Sequence, residues 1–267
     1  IDYDRAIHDY KVVLSDWRKL IGNPMGYHHF SKESFDLCRA QLTEWKIKEK
    51  ESISFLVKEF EQRKAAELYA KINVAKTGVI DTNKLHTYKF NDDIFRRVAT
   101  IPKGKNHGFV MFLDWSGSMV NELQNTLKQL FSLVMFCKRV QIPFEVYFFR
   151  NTVGTDPAWQ SADRGDWYTC NSVTKMRLKS FRLRNILSSR MNMADFNRAM
   201  ECLWMASRRT LYCDPMNSTP LNETLLAADH LVNQFRKNNK VQVVSTIFLT
   251  DGAGDCIVYT KDVRWST

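Results

Sequence analysis

The chain has 267 residues, 44% of them hydrophobic and 25% charged, a globular balance that excludes a disordered or collagen-like chain and suits one large domain or two small ones. No apolar run approaches the ~18 residues of a membrane span, and the most hydrophobic stretch, residues 109–113, is strand-sized. With 39 Lys and Arg against 29 Asp and Glu the net charge is +10, which points to an acidic partner, protein or nucleic acid.

Cysteines stand at 38, 137, 170, 202, 213 and 256, with no CxxC pair and no dense framework, so reduced thiols in a cytoplasmic protein are expected. No signal peptide is visible, and a chain running from Ile1 to Thr267 reads as a fragment whose true ends are missing.

The first third reads as helix. Ile7, Tyr10, Leu14, Trp17 and Ile21 recur at alternating spacings of 3 and 4, an apolar stripe on one helical face. Gly22-Asn23-Pro24 breaks it. A second series, Phe35, Leu42, Trp45, Ile53, Leu56 and Phe60, predicts a helix from about residue 31 to about Asn73, ended by Thr77-Gly78. Residues 1–90 are therefore expected to form a helical N-terminal region and residues 91–267 a second domain.

In that second part, residues 93–101 read as an extended or edge segment stopped by Pro102. Residues 109–113 are a strand buried on both faces, and residues 119–139 a helix. Residues 144–149 give a second strand, and helices are predicted at about 192–207 and 220–238. Residues 243–249 give a third buried strand. This alternation is that of an α/β fold, a doubly wound and mostly parallel sheet of Rossmann-like kind. Residues 150–191 show no clear periodicity and read as an insertion in which short strands or turns can hide.

Several chemistries are excluded. Lys103-Gly104-Lys105-Asn106 lacks the first glycine and the hydroxyl of a phosphate-binding loop. No histidine is followed by Glu, which removes HExxH, and Trp115-Ser116-Gly117-Ser118-Met119 lacks the flanking glycines of a hydrolase elbow. The neighbouring His28 and His29 point opposite ways in an extended segment, with no cluster of cysteines or carboxylates near, and read as surface or packing histidines rather than a metal pair.

The strongest signal is Leu113-Asp114-Trp115-Ser116-Gly117-Ser118-Met119, at the carboxyl end of the first buried strand, where open α/β sheets bind ligands. Asp114, Ser116 and Ser118 are spaced by two, so their oxygens can converge. An all-oxygen set suits Mg²⁺, Mn²⁺ or Ca²⁺ and suits zinc poorly. The same segment also reads as a turn and cap, with Ser118 capping the next helix. Thr219 before Pro220 reads as an ordinary helix start with Pro at the first position, and Asp251-Gly252 as a turn after the third strand.

Asp114-x-Ser116-x-Ser118, then Thr219, then Asp251, resembles the metal-ion-dependent adhesion site of von Willebrand factor type A domains, over roughly residues 105–260. The resemblance implies that Asp114, Ser116, Ser118 and Thr219 bind the ion directly or through water, and that Asp251 acts through water. It also implies that a partner's Asp or Glu completes the shell. The departure is the long stretch between Arg150 and Pro220.

Upstream, Thr77-Gly78-Val79-Ile80-Asp81-Thr82-Asn83-Lys84-Leu85 and Asp93-Ile94-Phe95-Arg96-Arg97 are similar to a stretch of cobalt chelatase T-subunit-like proteins. Those proteins work beside a MoxR-class AAA+ ATPase, and relatives in large tailed phages are often labelled peptidases. The expectation is a non-catalytic, Mg²⁺-dependent adaptor with such an ATPase as partner. A tetrapyrrole metal chelatase subunit and a phage peptidase are the alternatives. A separate basic run, Lys175, Arg177, Lys179, Arg182, Arg184 and Arg190, with Phe181 among them, is open to an acidic protein, to nucleic acid or to solvent.

Overall fold

The computed structural model describes residues 3–21, 32–70, 73–90, 95–100, 106–151, 177–178, 181–208, 213–252, 254 and 259–260. Its elements in chain order are α1 (Tyr3–Ala6), β1 (Ile7–His8), α2 (Tyr10–Ile21), α3 (Lys32–Ala70), β2 (Asn73–Ile80), β3 (Phe95–Thr100), β4 (His107–Asp114), α4 (Leu123–Arg139), β5 (Phe144–Asn151), β6 (Arg177–Leu178), β7 (Phe181–Ser188), α5 (Met193–Ala206), α6 (Leu221–Asn239), β8 (Val243–Leu249) and β9 (Tyr259–Thr260). Short 3-10 turns lie at Leu85–Thr87 and Ser118–Asn121.

The chain divides into two compact units, residues 1–51 with 106–267, and residues 52–105. The division falls at 51/52 and 105/106. Tyr10, Leu14 and Trp17, the stripe read from the sequence, are buried in the same cluster as strand residues Met111 and Leu113, which makes α2 part of the α/β unit. In the smaller unit β2 and β3 pair antiparallel, Asn73 against Thr100 and Lys76 against Arg97. The helix expected to reach Asn73 stops at Ala70, and Thr77-Gly78 lies inside β2. The pairing register shifts between Lys76 and Ile80, the kind of irregularity a strand glycine such as Gly78 accommodates.

The larger unit is built on a five-stranded sheet in the order β1-β7-β5-β4-β8. It is α/β and mostly parallel: β4 runs parallel to β5 and β8, β1 parallel to β7, and only β5 with β7 is antiparallel. The antiparallel β7 lies in the stretch expected to be an insertion. Val110 to Asp114 of β4 are all buried, and successive side chains point to opposite faces as strand geometry requires. Met111 and Leu113 face one helical layer, with Leu127, Phe131 and Val134 of α4 and Ala199 and Leu203 of α5. Val110 and Phe112 face the other, with Ala227, Leu231 and Phe235 of α6. No helix among the described residues is long and apolar enough to cross a membrane.

Two features give stability tests. At Gly108 a Cβ would lie 2.6 Å from Phe235 Cε1 and 3.3 Å from the Pro143 carbonyl, so β4 and α6 meet where only hydrogen fits. Gly108→Ala is expected to cost about 1–3 kcal/mol by overpacking, read from urea unfolding. An unchanged midpoint would show that Phe235 moves aside freely.

His8, level with Arg184 across the β1–β7 pair, has its imidazole pKa lowered from 6.5 to about 4, first by burial and then by the Arg184 and Arg182 charges. The unfolded chain takes up that proton near pH 6.5, so this contribution is present above pH 6.5 and is lost as pH falls towards about 4. Allowing for partial exposure, it amounts to on the order of 2 kcal/mol. His8→Leu should flatten the fall of the thermal midpoint across that window. An identical slope in the two proteins would refute the assignment.

Candidate metal centre

Strand register assembles the centre. Asp114, the last residue of β4, lies level with Phe149 of β5, and Leu113 lies level with Leu249 of β8. Thr250 is therefore carried alongside Asp114, one strand spacing (~4.8 Å) away. The Thr250 hydroxyl donates to Asp114 Oδ2 at 2.7 Å. Because β5 leaves β4 on one side and β8 lies on the other, the carboxyl end of β4 is the point where strand order reverses, the ligand-binding position of open α/β sheets.

The turn after β4 folds over this point. Ser116 and Ser118 hydroxyls are 2.9 Å apart, and Ser118 Oγ donates to Asp251 Oδ1 at 3.0 Å. Ser118 does not start the long helix: it opens a 3-10 turn whose cap position is Gly117, with no side-chain cap bond, and α4 begins only at Leu123. The cap reading of this serine does not hold.

The third loop is fastened to the first by backbone. Ser116 and Asn217 form a parallel bridge, with the Gly117 amide donating to the Asn217 carbonyl at 2.9 Å and the Asn217 amide to the Trp115 carbonyl at 3.4 Å. Thr219 follows two residues later and is buried. The expected arrangement of Thr219 as cap and Pro220 as first helical residue shifts by one: Pro220 holds the cap position, with φ −77° and ψ 58°, and the Leu221 amide reaches back to the Thr219 carbonyl at 2.8 Å. That is an inverse γ-turn, which suits a residue with fixed φ and no N–H. Glu223, in the first turn of α6, is buried and its Oε2 has no hydrogen-bond partner. A glutamate there ordinarily reaches back to the N–H of the cap residue, and Pro220 has none.

The electrostatics single out Asp114. It is fully enclosed, and burial raises its carboxyl pKa above the usual range. The Thr250 and Ser116 hydroxyls and the Ser116 amide work against that rise, and the Asp251 charge adds to it. Ser116 lies close enough for this influence, yet Asp114 Oδ1 closes no hydrogen bond. A buried carboxylate oxygen left open is costly unless a positive charge meets it. Two carboxylates, from Asp114 and Asp251, and three or more hydroxyls form a hard, all-oxygen donor set. Among the described residues no group of three or more His, Cys, Asp or Glu gathers as a metal site, so any ion here relies on hydroxyl oxygens.

Of the five residues read from the sequence, Ser116, Ser118 and Asp251 are joined by direct hydrogen bonds, and Asp114 stands in the same turn. Thr219 is brought to that turn through Asn217. Sequence reading missed Thr250, although it sits beside Asp251 in the motif.

The basic run breaks up. Arg184 is buried and pairs with Asp16 at 2.8 Å and Asp214 at 3.2 Å, so it offers nothing to a nucleic acid. Arg182 donates to the Phe181 carbonyl at 2.8 Å, and Arg190 pairs with Glu145 and Asp9. Lys175 and Lys179 lie outside the described residues, as do His28, His29 and the side chain of Arg177. Comparison with known protein families, with curated proteins and with solved structures finds no match for this chain.

Proposed function

We propose that Asp114, Ser116, Ser118, Thr219 and Asp251 hold one hard divalent cation, Mg²⁺ with Mn²⁺ or Ca²⁺ as alternatives, and that the chain is a non-catalytic, metal-dependent interaction module. The observation that carries this reading is the enclosed Asp114 carboxylate at the strand-order reversal, with one oxygen open and hydroxyls and a second carboxylate beside it.

The bound ion would supply a Lewis-acidic position for an incoming carboxylate. Asp114 and Asp251 offset part of its charge. Ser116, Ser118 and Thr219 add oxygens without quenching its attraction for an acid. Thr250 orients Asp114 by occupying Oδ2, which leaves Oδ1 for the ion. Trp115, buried behind the turn, keeps water from the rear of the site.

The partner is then a protein presenting Asp or Glu. The module belongs with the von Willebrand factor type A domains it resembles. Its upstream segment makes it the adaptor of a MoxR-like AAA+ ATPase, related to the cobalt chelatase T-subunit-like proteins, in the cytoplasm. Isothermal titration of the chain with Mn²⁺, and co-purification of an ATPase from the native host with Mg²⁺ present and then chelated, test the two halves. An absence of cation binding rejects the first. Recovery that is indifferent to chelation rejects the second.

A further inference from the structure

Behind the candidate centre lies a polar knot that the cation reading does not use. Asp214 is fully buried, and four elements converge on it. Its Oδ2 accepts the indole N–H of Trp17 from α2 at 2.8 Å. Its Oδ1 lies 3.3 Å from Arg150 Nε at the end of β5 and 3.2 Å from Arg184 Nε on β7. Its backbone carbonyl accepts the indole N–H of Trp115 at 2.9 Å, and Trp115 is the residue between Asp114 and Ser116. Arg150 also donates to the neighbouring Cys213 carbonyl at 3.1 Å.

The charges balance, with Arg150 and Arg184 facing Asp214 and Asp16. A balanced and buried knot contributes little net stability over apolar packing, but it fixes geometry. The geometry fixed here is that of two loops. The Asp114–Ser118 turn is held through Trp115, which also stacks on Phe148 with ring centroids 4.8 Å apart. The loop bearing Thr219 is held through Asp214 itself, five residues upstream, and through the Asn217 bridge.

We propose that Asp214 is a positioning residue: its carboxylate anchors the Thr219 loop to the Arg150 and Arg184 guanidiniums and the Trp17 indole, its backbone carbonyl then holds the Trp115 indole, and the pair of contacts clamps the Asp114 turn against that loop and so sets cation affinity without touching the cation. The proposal rests on the cation reading above, and the test separates the two. Mn²⁺ alone is titrated into the full chain, and amide hydrogen exchange is followed at Gly117, which is bonded to the Asn217 carbonyl, and at Phe112 in β4 as a core reference.

Asp214→Asn keeps the size of the side chain and removes its charge. It is expected to weaken Mn²⁺ binding about tenfold, as outer-shell changes do. It should also speed Gly117 exchange about fivefold while leaving Phe112 protected. Unchanged Gly117 exchange together with unchanged Mn²⁺ affinity overturns the proposal. If the unaltered chain binds no Mn²⁺, the cation reading fails, and Gly117 exchange alone decides whether the clamp exists. Should Asp214→Asn fail to fold, Trp115→Phe keeps a ring on Phe148 and deletes only the N–H to Asp214, and the same two readouts apply. Loss of protection at Gly117 and Phe112 alike would mark general destabilisation and overturn the positioning role.

Discussion

Asp114→Ala is expected to abolish Mn²⁺ and Mg²⁺ binding, and with it Mg²⁺-dependent capture of an acidic partner, while the far-ultraviolet circular dichroism stays that of the parent chain. The loss should exceed the 10- to 100-fold typical of outer-shell changes, because Asp114 presents a buried carboxylate oxygen with no hydrogen bond at the point where strand order reverses. The fold should survive. Asp114 is the last residue of β4, beyond the pairs that zip the strand to β8.

The metal-free protein gives a second readout of the same side chain. Burial raises the Asp114 pKa, so at neutral pH the folded state holds a carboxylate in a place that disfavours its charge. Asp114→Asn should therefore leave the metal-free thermal midpoint unchanged or higher. In the parent chain a cation at 100 times its dissociation constant should add about 2.7 kcal/mol of stability, and in Asp114→Asn that gain should vanish. A cation-induced rise of equal size in both proteins would place the ion elsewhere.

Trp17→Ala has the largest expected effect on stability. Trp17 is 1% exposed, lies in the main core with Leu14 and Trp115, and gives its indole N–H to Asp214. Its truncation opens a large cavity and strips a donor from a buried carboxylate, for about 3–5 kcal/mol in urea unfolding. Trp17→Phe should recover most of the packing and leave a residual cost of about 1–3 kcal/mol from the missing hydrogen bond. A loss under ~1 kcal/mol for the alanine variant would mean that α2 is only loosely held against the sheet.

Strands β4 and β5 were legible because each is an apolar run that both helical layers cover, whereas the third strand was expected to be buried and β8 is the edge strand, with residues only partly buried or exposed. The third strand was read as residues 243–249, and β8 spans Val243–Leu249. Helices α4, α5 and α6 followed from periodicity, to within a few residues at their starts. The antiparallel β7 was hidden because polar residues interrupt its buried positions: Arg184, Asn185 and Ser188 are buried beside Leu183, Ile186 and Leu187, and they pair with Asp16, Asp214 and Glu145 from distant parts of the chain. A run of arginines looks like a solvated face until its partners are known. The extent of β2 was lost for the opposite reason, since Thr77-Gly78 reads locally as a stop and only pairing with β3 carries the strand through it. At the candidate centre the motif oxygens were visible from spacing. Thr250 becomes visible only once β4 and β8 are in register, and Asp214 only once Trp17 and Trp115 share it.

The reversed direction of β7 has a further consequence. Because Asn151 is paired with Phe181, β5 ends and β7 begins at the same rim as Asp114. Doubling the length of a connection between two such paired strand ends costs only about 0.6 kcal/mol of closure entropy. Length changes between Asn151 and Phe181 should therefore be cheap for the sheet, so that this rim can be rewritten while the strands beneath it keep their register.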